Sequence, residues 1–497
     1  MQKVTRKIKE DKMLKGFTRN FKPLEVLTEE QVDAIWRGVL EVLERVGLKI
    51  EVEAPKALKI FDDGGCKVDY DAKMVRFPPS LVEECIRKCP SSFHVEARDP
   101  KNDLVIGGNT VYFMPGPGMR YLDIDTFESR LPTRKEFYDA VTVYDALPNL
   151  HLHHCNGPTT SFEGVGPFMS TIESYAARAR NSTKVNFLSW AYESDRFNLE
   201  IAKVVGAKGF SGVGASPPLC WSDDSISAEM RAVEAGLPTL GCSGSIWGAT
   251  APATISGELI TNIAECMGSL VLAQLMDPGH PFMASTFTFP QNMRTGAPFF
   301  GNITIAVACA AFNQVWRRYR VPTFEIEAAI PNSKCMDFQS GYEKAMNAII
   351  QAISGGSVVW LHGTVYGELT AHPVQAIMDD DIAGMIGRFL EGIEVNDETL
   401  AIDLIEEVGS LPSNYLDKQH TRKWWRKEQF IPAVADTLTL PQWLAEGKKT
   451  TIDLAKEKMQ EILTTHKVSI PLTGSQEEEI ERILAEAREF YKERMGA

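Results

Sequence analysis

The stretch Thr323–Met346, TFEIEAAIPNSKCMDFQSGYEKAM, contains one complete unit of strand, turn and helix. Its first eight residues form a mostly apolar run that is typical of a buried strand, and its last residues place apolar side chains at helical spacing. Between them, residues 331–339 carry an amide, a hydroxyl, an amine, a thiol and a carboxylate. Polar side chains packed this densely into a strand-to-helix turn predict a functional site at the carboxyl end of a strand.

Similar units recur on both sides of this stretch, where short apolar runs alternate with amphipathic segments. Strands are predicted at 110–116, 150–157, 184–192, 212–221, 238–248, 281–289, 323–330 and 357–362. Alternation of this kind predicts a parallel sheet. Eight evenly spaced units favour a closed barrel, with an open doubly wound sheet as the alternative. We therefore predict an α/β protein with a (β/α)8 TIM barrel.

Two further segments flank the predicted barrel. Residues 1–109 read as a basic leader and a small α+β cap, residues 110–392 as the catalytic barrel, and residues 393–497 as a C-terminal helical extension. In the cap, Thr28 and Gln31 predict a capping box for the first helix. In the extension, a capping box at Ser475 and Glu478 predicts the last helix. We expect the extension to pack outside the barrel or between copies of the chain, and we predict a homo-oligomer.

Composition limits the possible partners and the compartment. The chain has 497 residues, a net charge of −14 and a pI of about 5.3. This charge argues against a broad basic face that would bind nucleic acid or an anionic membrane. Nine scattered cysteines without a CxxC pair indicate reduced thiols. No signal peptide is visible, and the stretch 263–276 is too short to span a bilayer. We therefore expect a cytoplasmic protein.

Aromatic residues recur at the ends of the predicted strands. The candidates for a binding pocket are Trp190, Tyr192, Trp221, Trp247, Phe289, Trp360 and Tyr366. Core packing is the alternative for any single ring. Several rings at one end of a sheet predict a pocket that holds a quaternary ammonium by cation–π attraction.

Five stretches carry a resemblance to a known family. They are LTEEQVDAIWRGVLEVLERVGLKIE, HVEARDPKN, FPQNMRTGAPFFG, IPNSKCMDFQSGYEKAMNAIIQAISGG and IMDDDIAGMIGRFLEGIEVNDETLAIDLIEEVG. Their order resembles that in the trimethylamine methyltransferase family, from about Leu27 to the C-terminal helices. Archaeal trimethylamine enzymes of that family carry pyrrolysine near this turn. This chain has ordinary residues there, so it resembles the non-pyrrolysine branch, and the position that aligns with pyrrolysine stays open.

The resemblance implies a reaction. Members of that branch demethylate quaternary amines such as glycine betaine, and pass the methyl group to the Co(I) corrinoid (cobalamin) of a separate, cognate corrinoid protein. The chain itself would then need no tightly bound cofactor. A quaternary nitrogen departs as a neutral amine without a proton, so the enzyme's task reduces to orientation and exclusion of water.

The resemblance also suggests roles for residues near the mouth of the barrel. We predict Asn332, Lys334 and His362 as catalytic residues on the substrate side. Asp337 and Gln339 are predicted to contact the corrinoid or its carrier, and a helix cap is the alternative for Asp337. The cations and donors predicted for a substrate carboxylate are His153, His154, Arg294, Lys334 and His362.

Two other functions stay open at this stage. One is a quaternary-amine binding protein without catalysis. The other is a zinc-dependent corrinoid methyltransferase with a different methyl donor, for which the ligands would come from His154, Cys155, Cys220, Cys242, Cys335 and His362. These residues lack the local pair spacing of strong zinc sites, so no metal is predicted. The run Asp379–Asp381 is interpreted as the first turn of a helix, with magnesium as the alternative.

Overall fold

The computed structural model describes residues 16–53, 55–325 and 329–495. The predicted leader up to residue 15, and residues 326–328 of the predicted strand 323–330, with Glu327 among them, lie outside the described residues. The described strands are β1 Phe17–Thr18, β2 Leu48–Glu51, β3 Lys67–Asp69, β4 Met74–Arg76, β5 Ser92–Val95, β6 Leu104–Gly107, β7 Thr110–Pro115, β8 Arg120–Leu122, β9 Ser129–Arg130, β10 Leu152–His153, β11 Val185–Leu188, β12 Phe210–Gly214, β13 Cys220–Ser222, β14 Thr239–Ser243, β15 Ile246–Trp247, β16 Phe282–Thr286, β17 Phe289–Pro290, β18 Thr323–Glu325, β19 Val358–His362 and β20 Thr370–Ala371.

The described helices alternate with these strands and then continue alone to the C-terminus. They are α1 Glu29–Arg45, α2 Lys56–Asp63, α3 Pro79–Lys88, α4 Arg134–Ala146, α5 Ser170–Asn181, α6 Ser194–Val205, α7 Asp223–Glu234, α8 Ile255–Met276, α9 Ile303–Arg318, α10 Phe338–Ser354, α11 Pro373–Glu391, α12 Asp397–Leu400, α13 Ile402–Val408, α14 Gln419–Glu428, α15 Leu440–Ala445, α16 Thr451–Thr465 and α17 Gly474–Met495.

The main sheet is curled, and helices pack against its strands, so the fold is mixed α/β. Within the described part of the chain, its nine strands stand in the order β1-β7-β19-β18-β16-β14-β12-β11-β10. β1 is antiparallel to β7, and the other neighbours are parallel. All eight predicted strands are therefore present and parallel. Among the described residues no ladder joins β7 to β10, and a backbone hydrogen bond from His151 N to Phe113 O, 2.8 Å long, crosses the gap. A complete TIM barrel stays a prediction.

The cap forms its own sheet and takes a strand from the barrel segment. β13 pairs in parallel with β2, and β4 and β3 complete the sheet in the order β13-β2-β4-β3. The prediction of one strand over 212–221 is wrong, because Pro217 and Pro218 lie between β12 and β13 and proline cannot donate to a ladder. Trp221 therefore lies in the core of the cap, where its indole N–H donates to Glu265 O at 3.1 Å.

Helix α8 is the central core helix between β14 and α1. Among the described residues it is the one helix long and apolar enough to cross a membrane, and 78% of its most apolar window is buried inside the protein. It begins at Ile255, capped by Thr254, so the expectation of a short apolar stretch at 263–276 is corrected. Its burial is that of a core helix.

The C-terminal helices cover the outer helices of the sheet. α16 packs on α11 and α4, and α17 packs on α5 and α6. α17 begins earlier than predicted. Thr473, not Ser475, exchanges hydrogen bonds with Gln476. Association between copies of the chain, and the domain boundaries at 109 and 392, stay predictions.

The aspartates 379–381 lie in the middle of α11, so their interpretation as a first turn is wrong. α11 begins at Pro373, which has the preset φ that suits a first helical position. Each carboxylate holds a different neighbour of the helix. Asp379 pairs with Lys344 at 3.1 Å, Asp380 accepts from Asn149, and Asp381 accepts from the backbone N–H groups of residues 433–435.

Three buried carboxyl groups lie on α7 and α8. Burial raises the pKa of Glu229 to about 8 and those of Glu258 and Glu265 to about 7. A glutamate in the unfolded chain titrates near about 4.3, so the folded protein binds these protons more tightly. Their contribution to the free energy of unfolding is therefore present below about pH 4 and is lost as pH rises through 7 to 8.

We expect Glu229→Gln to flatten this pH dependence, because glutamine keeps an acceptor for the Ser269 hydroxyl without a titrating proton. Between pH 6 and pH 8 the native protein should lose about 2 kcal/mol more than this variant. Urea unfolding midpoints at the two pH values measure the effect. Exposed Glu44→Gln is the matched control. Equal slopes for the native protein and Glu229→Gln would contradict the assignment.

Candidate active site

A cavity of about 230 Å³ lies at the carboxyl ends of the parallel strands. It reaches into the sheet at Trp360 of β19 and Leu240 of β14. Its lining comes from seven of the parallel strands and the loops that follow them, which is where sites of α/β barrels lie. The lining residues are Pro117, His154, Cys155, Asn156, Phe187, Trp190, Val213, Gly214, Ala215, Leu240, Cys242, Gly244, Phe287, Trp360 and Glu368.

Rings form much of the cavity wall. The Trp360 ring centroid lies 4.4 Å from that of His154 and 5.9 Å from that of Phe287. Phe187 packs edge-to-face on His154 at 5.4 Å. Of the predicted pocket rings, Trp190 and Trp360 line the cavity. Aromatic faces in a closed site attract a cation by cation–π interaction.

A left-handed turn after β11 follows Trp190. Tyr192 has φ 55° and Glu193 has φ 63°, a conformation that costs about 1–3 kcal/mol for residues other than glycine. Asp224 accepts hydrogen bonds from both backbone N–H groups, and the Tyr491 hydroxyl of α17 donates to Tyr192 O at 2.8 Å. The C-terminal helix thus supports the turn beside the cavity. The Tyr192 side chain itself is 54% exposed and does not line the cavity.

His154 is a neutral hydrogen-bond donor in the cavity wall. The backbone N–H of Asn156 donates to its Nδ1 at 3.0 Å, which places the ring proton on Nε2. Burial, and the charge of Arg178, hold the pKa of His154 well below its usual range. His154 can therefore donate to an acceptor in the cavity without carrying a charge.

Glu368 is the carboxylate of the cavity. It lies on the loop after β19. A hydrogen bond from Gly367 N to Pro331 O, 2.8 Å long, joins this loop to the turn at residues 331–339. Burial raises the pKa of Glu368. Within the described residues, no cation forms an ion pair with it. A half-buried carboxylate beside aromatic rings is suited to a cationic ligand.

A buried guanidinium lies near His154. Arg178 donates to Asn186 Oδ1 at 3.2 Å and to Gly157 O at 3.1 Å, and within the described residues its second terminal nitrogen has no hydrogen-bond partner. Its charge lowers the pKa of His154 next to the cavity. The cavity therefore has an acidic group, Glu368, and a neutral donor, His154, with the charge of Arg178 near that donor.

Burial raises the pKa of the Cys155 thiol to about 12, so this cavity thiol is neutral. Within residues 16–53, 55–325 and 329–495, no group of three or more histidine, cysteine, aspartate or glutamate side chains is arranged to hold a metal ion. The predicted zinc ligands are thus spread over the wall, the cap and the turn.

The turn that opened the sequence analysis is held by Glu343 of α10. Its carboxylate accepts from Asn332 N at 2.7 Å and from Ser333 N at 3.2 Å. Lys334 is exposed; its Nζ donates to Asn332 O at 2.8 Å and lies 4.4 Å from the ring centroid of Tyr366. Asn332 and Lys334 therefore lie on the turn, and Tyr366 lies beside Lys334 on the loop after β19. None of the three lines the cavity.

Asp337 and Gln339 lie at the beginning of α10. Asp337 accepts from Ser340 N at 2.9 Å, so it caps the helix, which was the alternative interpretation. Gln339 Nε2 donates to Glu343 at 2.7 Å. Contact of either residue with a corrinoid stays a prediction.

Two predicted histidines point away from the cavity, toward the outer helices. His153 Nε2 shares a hydrogen bond with Ser182 Oγ at 2.8 Å, and burial lowers its pKa to about 3. His362 lies 3.4 Å from Asp380 Oδ1 of α11. Neither lines the cavity. His153 precedes the wall residue His154, and alternate residues of a strand point to opposite faces. His362 is two residues after Trp360, but the register of β19 shifts between them.

Other predicted residues lie in a second layer or at the surface. Phe289 packs between Phe287 and Phe300, at 4.9 and 4.8 Å between ring centroids. Trp247 lies with Phe289 in the two-stranded ribbon β15–β17. Arg294 is exposed on the turn after this ribbon, and Trp221 is buried in the cap.

Four residues near the cavity were not among the predicted site residues, namely Phe187, Phe287, Glu368 and Arg178. Phe287 lies directly after β16. The sequence analysis already expected site residues at the ends of the predicted strands. Glu368 could have been noticed as a lone acid between turn residues beyond the last strand. Phe187 and Arg178 carry no local signal, because one lies within a strand and the other within α5.

Comparisons with known proteins identify the family of the chain. The family model of trimethylamine methyltransferase (MTTB) matches residues 2–489. The trimethylamine methyltransferase of Desulfitobacterium hafniense strain DCB-2 is 30% identical over 457 residues, which cover 88% of this chain and 89% of that protein. The glycine betaine methyltransferase of strain Y51 is 29% identical over 454 residues, covering 89% and 92%.

A solved structure, the monomethylamine methyltransferase of Methanosarcina barkeri, is similar at low identity. The match covers 93% of this chain and 92% of that protein, with 12% sequence identity and a TM-score of 0.47. The match of the family model over almost the whole chain, together with the relative at 30% identity, shows the family. The chain therefore belongs to the trimethylamine methyltransferase family and is a methyltransferase.

Proposed function

We propose that this methyltransferase takes a methyl group from a quaternary amine, glycine betaine being the first candidate, and passes it to the corrinoid of a separate partner protein. The observation that carries this proposal is the Glu368 carboxylate, without an ion pair among the described residues, facing a cavity walled by Trp190 and Trp360. One relative is a glycine betaine methyltransferase, which supports the choice of substrate.

The presence of both an acid, Glu368, and a neutral donor, His154, in the cavity lining supports a zwitterion over a simple amine. The trimethylammonium group would lie against the rings and Glu368, where a desolvated cation–π contact is worth about 2 kcal/mol. The carboxylate would accept from His154 Nε2 on the side where Arg178 lies. Trimethylamine, the substrate named in another relative, has no carboxylate to use that side.

The methyl transfer requires little of the protein beyond binding of the substrate. The bond between the methyl carbon and nitrogen breaks, the electron pair stays on nitrogen, and the methyl carbon bonds to the acceptor. The product is a neutral tertiary amine, so no proton moves. The corrinoid, when its carrier is bound, supplies the nucleophile. The residues of this chain orient the methyl group and exclude water.

The partner would approach over the turn 331–339. Phe338 at the beginning of α10 is 87% exposed, and Met293, which follows β17, is 76% exposed. Exposed apolar side chains next to a site entrance are typical of protein interaction surfaces. Asn332, Lys334, Asp337 and Gln339 share this surface, and we assign them to partner docking rather than to substrate contact.

We also propose that the sheet closes into a complete eight-stranded barrel across the gap between β7 and β10. The parallel strands follow one another in chain order, and the hydrogen bond from His151 N to Phe113 O spans the gap. Closure places every strand end around one cavity.

The test mixes the purified enzyme, the reduced partner corrinoid protein and one amine at a time, and follows the corrinoid absorbance spectrum. We expect methylation with glycine betaine and none with trimethylamine or methanol. The reverse pattern would contradict the proposal. Calorimetric binding of betaine without any methylation would favour a binding protein, and stoichiometric zinc in the purified active enzyme would favour the zinc-dependent alternative.

A further inference from the structure

A second cleft, the lower cleft, lies at the amino-terminal ends of β7, β18 and β19, opposite the aromatic cavity. Its volume is about 360 Å³, within the range of small-molecule sites. The lining residues are Arg19, Ser91, Ser92, Gly107, Gly108, Asn109, Asn313, Arg317, Arg320, Val321, Pro322, Thr323, Gly355 and Ser357. Three are arginines, and no acid lines the cleft within the described residues.

Among the residues that the structure describes, Arg19 is a buried charge without a counter-ion. It is 2% exposed, and its guanidinium donates only to neutral oxygens, Ala352 O at 3.1 Å and Asn109 Oδ1 at 3.3 Å. Its Nε has no hydrogen-bond partner among the described residues. A buried guanidinium without a paired anion costs several kcal/mol. The lower cleft therefore contains a buried positive charge that no anion balances among the described residues.

The other two arginines add to this charge. Arg317 forms an ion pair with Glu25 at 3.3 Å. Burial, and then the nearby charge of Arg317, lower the pKa of Arg19 to about 10. Arg320 is exposed and forms no ion pair within the described residues. Three guanidinium groups against the single carboxylate of Glu25 leave a local charge of about +2, in a chain whose net charge is −14.

We propose that the lower cleft binds a small organic phosphate. A phosphate monoester carries about −1.5 to −2 charges at pH 7, which matches the local excess, whereas a monocarboxylate would leave one guanidinium unpaired. Arginine forks fit the oxygens of phosphate with paired hydrogen bonds. The Ser91 and Ser92 hydroxyls supply further donors, and the remaining volume exceeds that of a bare phosphate ion.

Calorimetry on the full chain, without any amine, tests this site independently of the methyl transfer. The probes are inorganic phosphate, ribose 5-phosphate, adenosine monophosphate and succinate, at one ionic strength. We expect an organic phosphate to bind at least fivefold more tightly than inorganic phosphate, and succinate to bind more weakly than both. Tighter binding of inorganic phosphate or succinate would overturn the assignment to an organic phosphate.

Variants locate the binding. Arg320→Gln, whose side chain has no bond within the described residues, should weaken phosphate binding at least fivefold, and Arg317→Gln should do the same. Arg422→Gln, an exposed arginine on α14, is the control and should bind normally. Absence of binding by every phosphate, or unchanged affinity in both lower-cleft variants, would overturn the proposal.

Discussion

Glu368→Gln is expected to weaken the binding of glycine betaine by a factor of about 10 to 100. The change keeps the size of the side chain and removes the one carboxylate that lines the cavity in the described structure. Loss of a charged partner in a closed site costs about 1.5–3 kcal/mol. Calorimetry without the corrinoid protein measures this effect directly. Glu163→Gln, an exposed glutamate on the loop after β10, is the matched control.

The same carboxylate predicts a pH dependence of binding. Burial raises the pKa of Glu368, so the group takes up a proton at a higher pH than an exposed glutamate does. The neutral acid no longer pairs with the ammonium, and betaine affinity should fall as pH falls through this raised pKa. Glu368→Gln should bind betaine with the same weak affinity throughout that range. A pH dependence that persists in Glu368→Gln would assign it to another group.

Trp360→Leu is expected to weaken betaine binding about thirtyfold, because a desolvated cation–π contact is worth about 2 kcal/mol. Trp360 is also buried among core residues, so Trp360→Phe serves as the second variant, and its retained ring should preserve most of the affinity. The carbon isostere 3,3-dimethylbutanoate has the shape of betaine without its positive charge. Its binding should change far less in Trp360→Leu. Equal losses for the two ligands would mean that Trp360 contributes shape alone.

Local signals in the sequence predicted much of the fold. The capping box at Thr28 is present, and a parallel strand overlaps each of the eight predicted stretches. These features depend on hydrogen bonds and apolar spacing within a few residues. Pro373 was a signal for the true beginning of α11, and it outweighs the charge pattern at 379–381.

The site was predicted less completely, because its members meet only in the folded chain. Trp190 and Trp360 were found from their positions near strand ends. His153 and His362 were misplaced because their orientation depends on which face of the strand they occupy, and β19 has a register shift between Trp360 and His362. Trp221 was misplaced because its strand leaves the main sheet for the cap.

Glu368 and Arg178 show the limit most clearly. Their electrostatic roles come from burial and from neighbours far away in the chain, and neither property has a local pattern. Asp337 is the opposite case, since the sequence already offered the helix cap that the geometry contains.

A crystal structure of the enzyme soaked with glycine betaine tests the central claim most directly. The account predicts the trimethylammonium nitrogen within about 6 Å of the Trp360 ring centroid, on the Glu368 side of the cavity, with the carboxylate toward His154 Nε2. Betaine bound instead at the exposed turn that carries Arg294, with the aromatic cavity empty at saturating ligand, would contradict it.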